Sequence, residues 1–295
     1  MRSESDFIRS IASVNFNGAG PRALRLFEVE KGFFGRLRAE LERLTQAHAP
    51  SHVETYGHAT NWTNPFGAAV QYSLLNRSGK FDDTSSDHNL SLAGKSFHHA
   101  AEFPTVAELI RAFPHALNMR LNGMGKKSGL SPHEENVVHW CGPRQPGRFF
   151  VRVRFHLPIQ TNPHALVLLD GQTFHFEERF IYFFNNGAVH SANNQGDTYR
   201  YHLVWDMLLS RETFELMFEQ DELPQFLRGV PRSQREVAPS GAVTVDDYAI
   251  SGLELRLYRL MRLERLGIKP GQFHSRVYSP LARKAPFELT FAGAR

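Results

Sequence analysis

The sequence contains almost no cysteine, with Cys141 the single one among 295 residues. One cysteine excludes an internal disulfide and a zinc site built from several cysteines. No run of about 18 apolar residues occurs, so nothing in the sequence predicts a membrane span. The polar residues that follow Met1 lead into no apolar signal-peptide core. We therefore expect a cytoplasmic protein without a membrane partner.

Long runs of one charge are also missing. The net charge is +4 and the pI is near 9.3, but the basic residues are spread out, with no block longer than Lys126-Lys127. A small, dispersed surplus of charge is typical of a solvated surface, so we expect no nucleic-acid partner. The hydrophobic content of 41% and the length predict a globular chain with one large or two small domains.

Helical patterns are few in the first 210 residues. Leu37, Leu41 and Leu44 share one face of a predicted helix over residues 31–46. Thr105 and Glu108 have the spacing of a capping box, which predicts a helix with Thr105 as its N-cap. Residues 82–87 are polar and predict a loop. A second helical pattern begins near Ser210 and includes a capping box at residues 244–247.

The central part of the sequence has the pattern of a β protein. Residues 149–158 alternate strictly, which puts Arg152, Arg154 and His156 on one face of a predicted strand. A predicted hairpin turn stands at residues 170–171, a further turn at 185–187 and another strand at 199–206. Short strands separated by such turns predict a sandwich or a barrel.

Candidate metal ligands lie in and after this region. His133 and Glu135 form a His-x-Glu pair, and His190 follows within the β-rich part. Two imidazoles and a carboxylate are the ligand set of non-haem iron(II) oxygenases. A His-x-Glu pair is weak evidence by itself, since His175 and Glu177 form a second one, and each histidine could instead have a structural role.

The region from Met119 to Leu208 resembles the aspartyl/asparaginyl β-hydroxylase family of iron(II)/2-oxoglutarate dioxygenases. The resemblance is carried, in order, by Pro132-His133, the strand 152–157, the acidic turn 176–178, His190 with Arg200 ten residues later, and Trp205. It implies a mainly β fold with flanking helices, in which the core is a double-stranded β-helix (a jelly roll, as in the cupins).

The resemblance also implies roles for individual residues. His133, Glu135 and His190 would bind Fe(II), with Glu134 or a water as the alternative to Glu135, where the family usually has aspartate. Arg200 would bind the distal carboxylate of 2-oxoglutarate. The remaining cofactor-binding residues would be Arg154, His156 and Asn122.

The function implied is the O2-dependent hydroxylation of an unactivated C–H bond in an amino acid, a peptide or a natural-product intermediate, with succinate and CO2 as co-products. Two alternatives stay open: a cupin-like metal-dependent isomerase or hydrolase, and a non-catalytic jelly-roll binding module. We expect residues 1–100 to form a mixed α/β extension, 101–209 the catalytic core and 210–295 a helical region. The outer parts are candidates for setting specificity or for forming a homodimer.

Overall fold

The computed structural model describes residues 21–52, 69–126, 128–130, 137–140, 149–169, 172–188 and 190–242, together with Leu260. The strands are β1 Ala23–Val29, β2 Ser51–His52, β3 Ala69–Ser73, β4 Ala116–Met124, β5 Ser128–Gly129, β6 Val138–Trp140, β7 Phe149–Gln160, β8 Ala165–Leu169, β9 Gln172–Phe174, β10 Phe180–Phe184, β11 His190–Asn194, β12 Arg200–Leu208, β13 Leu227–Gly229 and β14 Gly241–Ala242. The helices are α1 Lys31–Ala47, α2 Thr84–His88, α3 Pro104–Arg111 and α4 Arg211–Phe218, with a 3₁₀ turn at Arg232–Gln234.

The strands form two antiparallel sheets. The main sheet has the order β13-β1-β10-β7-β12-β4-β3-β2, with β6 paired to β7, and the second sheet has the order β14-β9-β8-β11-β5. The predicted mainly β fold with a double-stranded β-helix core is confirmed. The division of the chain into three parts stays a prediction, although strands from before residue 101 and after residue 209 join these same sheets.

The two faces of the main sheet bury different side chains. On the outer face, Val153, Phe155 and Leu157 of β7 pack with Trp205 of β12 into a large apolar core that also contains α1 and α3. On the inner face, Tyr182 and Phe184 of β10 pack against side chains of the second sheet, among them Val167, Leu169 and Phe174. The alternation read from residues 149–158 therefore separates an apolar outer face from a polar inner one.

Helix α1 confirms the helix predicted over residues 31–46, and its buried leucines face the core. The capping box predicted at Thr105 is wrong. Helix α3 begins at Pro104 with Phe103 as its N-cap, two residues before the predicted cap, and makes no side-chain cap of its own. Its first turn is capped instead by Glu40 of α1, whose carboxylate accepts hydrogen bonds from Thr105 N (3.0 Å), Thr105 Oγ1 (2.6 Å) and Val106 N (2.9 Å). A carboxylate at this position also complements the helix dipole.

Two further predictions are corrected. Residues 82–87 are not simply a surface loop, because Asp83 caps the short helix α2 and Asp87 is buried. The part of the chain after Ser210 is not purely helical: β13 pairs with β1, and β14 pairs with β9. The capping box at 244–247 lies outside the described residues. Among the residues that the structure describes, no helix is both long and apolar enough to cross a membrane.

Candidate active site

Polar side chains line the inner face of the main sheet. They stand on its three central strands as Arg152, Arg154 and His156 on β7, Arg200, His202 and Asp206 on β12, and Asn118, Arg120 and Asn122 on β4. The strand register sets them side by side, with His202 opposite Asn122 and Asp206 opposite both Asn118 and Arg154. Side chains two residues apart share a face, so one strand supplies several groups to the same site.

Arg200 is buried and has no carboxylate partner among the residues that the structure describes. Its side-chain contacts are to the ring of His202, with Nε 3.0 Å from Nε2 and Nη2 2.9 Å from Nδ1. Burial lowers the pKa of the Arg200 guanidinium to about 10, and no nearby anion offsets this effect. The group is still a cation at neutral pH, and a buried cation of this kind requires an anion from elsewhere.

The two histidines near Arg200 are neutral. Burial lowers the pKa of His202 well below its usual value, and the positive charge of Arg200 lowers it further. The pKa of His156 is lowered by burial first, and then by Arg200 and Arg154. Within the described part of the chain, neither ring nitrogen of His156 has a hydrogen-bond partner, and the same is true of Asn122 Oδ1. Buried polar atoms are rarely left in this state, so these atoms fit a polar ligand.

His190 approaches the same region from the second sheet. Its ring lies 5.1 Å from that of Phe184, and the Phe184 ring lies 4.6 Å from that of His156 (centroid distances). The Nδ1–H of His190 donates to Ala188 O at 2.8 Å, which leaves Nε2 as the nitrogen with the lone pair. A backbone carbonyl that fixes the tautomer in this way is the usual second partner of a metal-binding histidine.

Arg154 and its neighbours belong to an adjacent ionic cluster around Asp206. Arg154 Nε is 2.7 Å from Asp206 Oδ1, and Arg152 and Arg120 lie within 3.3 and 3.8 Å of Oδ2. Burial would raise the pKa of Asp206, but these three guanidinium groups outweigh it and hold the pKa below its usual range. Asn118 connects the cluster to the loop that carries α2, because its Nδ2 donates to both Asp206 Oδ2 and Asp87 O.

The structure brings five of the predicted site residues to one region: His190, Arg200, Arg154, His156 and Asn122. The predicted ligands His133 and Glu135, and the alternative Glu134, lie outside the described residues. Among those that are described, no three acidic, histidine or cysteine side chains form a metal site. The roles of all seven predicted residues therefore stay predictions.

The competing His-x-Glu pair has structural partners. His175 Nδ1 hydrogen-bonds to Ala165 O, and Glu177 forms an ion pair with Arg25. Both carry contacts that hold the second sheet and the β1–β10 pair in place. Two residues that sequence reasoning missed are His202 and Asp206, although both follow Arg200 at even spacing on a predicted strand, which is the signal for a shared face.

A separate groove of about 660 Å³ lies beside α4. It is lined by Met207, Leu216 and Leu223 and by carboxylates that include Glu212 and Glu219. None of the predicted site residues lines it, and its many carboxylates would repel a dicarboxylate. The inner face of the main sheet is therefore the better candidate for the active site.

The described residues fit the cofactors that the resemblance implies. A dicarboxylate matches the guanidinium of Arg200, for which the described residues supply no acid, and the N–H of the His156 ring, which has no hydrogen-bond partner among them. The tautomer of His190 presents Nε2 as a nitrogen donor of the kind that iron(II) takes.

Solved structures of low sequence identity resemble the chain. The α-ketoglutarate-dependent epimerase SnoN from nogalamycin biosynthesis is 13% identical and has a TM-score of 0.40, with 80% of this chain and 99% of that chain covered. HygX from Streptomyces hygroscopicus, solved with nickel and 2-oxoglutarate, is 11% identical and has a TM-score of 0.35, with 62% of this chain and 82% of that chain covered. The viral collagen prolyl hydroxylase of Paramecium Bursaria Chlorella virus-1 is 8% identical and has a TM-score of 0.33, with 61% of this chain and 94% of that chain covered.

The family assignment rests on a different comparison. No curated protein sequence matches the chain significantly. The family model for aspartyl/asparaginyl β-hydroxylase matches residues 34–209, which is more than half of the 295 residues. The predicted cofactors Fe(II), 2-oxoglutarate and O2 agree with that assignment. The chain thus belongs to the aspartyl/asparaginyl β-hydroxylase family and is, as its sequence predicts, a 2-oxoglutarate-dependent dioxygenase.

Proposed function

We propose that the protein hydroxylates an unactivated C–H bond of an amino acid, a peptide or a natural-product intermediate. Succinate and CO2 are the co-products. The proposal is carried mainly by Arg200, a buried cation that has only a neutral imidazole as its partner among the described residues. A guanidinium in this state binds a carboxylate strongly, because the fork of N–H donors matches two oxygen atoms and little water competes.

In this proposal Arg200 binds the distal carboxylate of 2-oxoglutarate and gives the keto acid a single orientation. His156 would supply a ring N–H nearby, and Asn122, on the same face of the sheet, would donate through its amide N–H, because its Oδ1 can only accept. Arg154 borders the site, and its pairing with Asp206 fixes where it lies. The rings of Phe184 and Phe176, which contact His156, exclude water from this side.

His190 Nε2 is the nitrogen that would hold Fe(II), together with His133 and Glu135. Bound iron and 2-oxoglutarate would supply the oxidising chemistry, in which O2 is consumed and the keto acid is decarboxylated.

A screen of amino acids and peptides for substrate-stimulated succinate release tests the function. We expect His190→Ala to abolish Fe(II) retention and turnover, and Arg200→Gln to raise the KM for 2-oxoglutarate by about 10- to 100-fold, the cost of losing a buried charged hydrogen bond. His175→Ala is the control, because it alters a histidine whose ring bonds a backbone carbonyl and should retain activity.

The same experiment separates the alternatives. A cupin-like isomerase or hydrolase would turn over a substrate with metal alone and would be indifferent to 2-oxoglutarate. A binding module would bind metal and ligand without forming succinate. If wild-type protein loaded with Fe(II) neither binds 2-oxoglutarate nor forms succinate with any substrate, the proposed function is wrong.

A further inference from the structure

We propose that His202 is a positioning residue, which orients the guanidinium of Arg200 toward the distal carboxylate of 2-oxoglutarate without cancelling its charge. This inference rests on the proposed function and adds a residue to it. It is drawn from the contacts on β12, where His202 follows Arg200 by two residues and lies on the same face.

The contacts between the two side chains are close and buried. His202 is 2% exposed and Arg200 is 4% exposed. The Nε and Nη2 atoms of Arg200 lie 3.0 and 2.9 Å from the two ring nitrogens of His202. The His202 ring is in turn confined by His156, in a T-shaped contact with a centroid distance of 5.8 Å. A long arginine side chain is thus held in one place by a short, rigid one.

The imidazole leaves most of the guanidinium to other partners. Arginine has five N–H donors, and a neutral imidazole has one lone pair that can accept a hydrogen bond. At most one of the two contacts is therefore a complete hydrogen bond. Among the described residues, the His202 ring is the only side chain to which Arg200 hydrogen-bonds. The N–H donors that the ring does not use are therefore suited to a bidentate carboxylate.

The other arginine pairing at this strand shows what His202 avoids. Asp206, four residues further along the same face, neutralises Arg154 through a direct ion pair. A carboxylate at position 202 would do the same to Arg200 and would compete with the ligand. His202 is neutral where it lies, because burial and the charge of Arg200 both oppose its protonation. The strand therefore holds one arginine by charge and the other by a hydrogen bond.

A direct binding measurement tests the inference. Calorimetric titration of the protein loaded with Mn(II), which supports binding without turnover, would compare 2-oxoglutarate with 2-oxopentanoate. The second compound keeps the keto acid end and lacks the distal carboxylate. We expect His202→Leu to weaken 2-oxoglutarate binding about 10-fold, the value of one hydrogen bond, and to change 2-oxopentanoate binding by less than about 2-fold.

Further variants distinguish positioning from a general structural effect. His202→Asn restores an uncharged acceptor and should bind 2-oxoglutarate within about 3-fold of wild type, whereas His202→Asp should weaken binding by about 100-fold because its charge competes with the ligand. Leu203→Ala is the matched control. It lies on the same strand, is equally buried, and faces the apolar core. It should lower the Tm and leave the ratio of the two affinities unchanged.

The outcomes separate this inference from the proposed function. If wild-type protein does not bind 2-oxoglutarate, the proposed function fails and the inference fails with it. If Arg200→Gln weakens binding and His202→Leu does not, only the inference is overturned. Equal weakening of both keto acids by His202→Leu would also overturn it, because a positioning residue for Arg200 acts on the distal carboxylate alone.

Discussion

Arg154 and Asp206 form a bidentate ion pair across β7 and β12, with Nε 2.7 Å from Oδ1 and Nη2 3.1 Å from Oδ2. The two residues are register partners, and the carboxylate is completely buried. Because Arg152 and Arg120 approach the same carboxylate, one anion balances part of the charge of three guanidinium groups. This pair fixes the position of the polar face on which the site is built.

Loss of the Asp206 charge should therefore destabilise the fold strongly. We expect Asp206→Asn to lower the free energy of unfolding by about 3–5 kcal/mol, the range observed when one partner of a buried ion pair is removed. Denaturant unfolding measures the change. Glu215→Gln is the control, because Glu215 pairs with Arg211 on the surface of α4 and should change stability by less than about 0.5 kcal/mol. A similar small loss for Asp206→Asn would contradict the importance of the cluster.

Asp87 should give stability a distinct pH dependence. Burial raises its pKa to about 6, against the partial opposition of Arg120, Ser73 and Gln71. Between about pH 4 and pH 6 the folded protein holds a proton that the unfolded chain releases, so the contribution of Asp87 to stability falls as pH rises through this window and stays low above it.

Asp87→Asn should remove this dependence. The difference in unfolding free energy, variant minus wild type, should be more favourable to the variant at pH 7.5 than at pH 4.5, by about 2 kcal/mol. Denaturant unfolding at the two pH values measures it, and titrating groups that do not interact with Asp87 cancel in the comparison. A difference that is the same at both pH values would show that Asp87 ionises normally.

The cap supplied by Glu40 predicts a third effect. Glu40→Ala removes the acceptor of three hydrogen bonds at the start of α3 and should cost about 2–3 kcal/mol. Glu42→Ala on the same helix is the matched control, because Glu42 is exposed and its carboxylate pairs only with Arg38 among the described residues. The hydrogen bond from Thr45 goes to the backbone carbonyl of Glu42, which the substitution keeps. Equal Tm values for the two variants would contradict the assigned cap.

Gly123 allows Tyr201 to pack across β4. A Cβ atom at this position would lie 2.5 Å from Tyr201 Cε1 and 2.7 Å from Val70 Cγ2, so Gly123→Ala should cost about 1–3 kcal/mol. The double variant with Tyr201→Ala should lose less unfolding free energy than the sum of the losses of the two single variants.

Gly35→Ala, where a Cβ meets nothing within 4 Å, should instead stabilise α1 by up to about 1 kcal/mol.

Sequence patterns predicted the features that depend on local periodicity. The helix over 31–46 follows from its leucine spacing, and the alternation over 149–158 correctly placed Arg152, Arg154 and His156 on one buried face. Pairings between distant segments left no such local signal. Glu40 reads as one more acidic residue on a helix, and its partner Thr105 is 65 residues away. The three residues of β13 pair with β1 across about 200 residues, and no turn signal indicates that pairing.

Asp206 illustrates a second reason why part of the site could not be predicted from the sequence. A buried arginine requires an anion, and the sequence does not say whether a ligand or an internal carboxylate supplies it. Arg154 and Arg200 looked alike as residues on predicted strands, and the structure separates them by their partners, Asp206 for one and His202 for the other. Only the register of β7 and β12 decides which arginine is already neutralised.

Strand β12 is paired along its length on both sides, with β7 and with β4. Its backbone amides are therefore among the last in the chain to be exposed by local fluctuations, and we expect them to exchange with deuterium only when the whole fold opens. Arg200 and His202 are attached to this strand. Solvent should thus reach the backbone beneath the proposed dicarboxylate site as rarely as it reaches the centre of the protein.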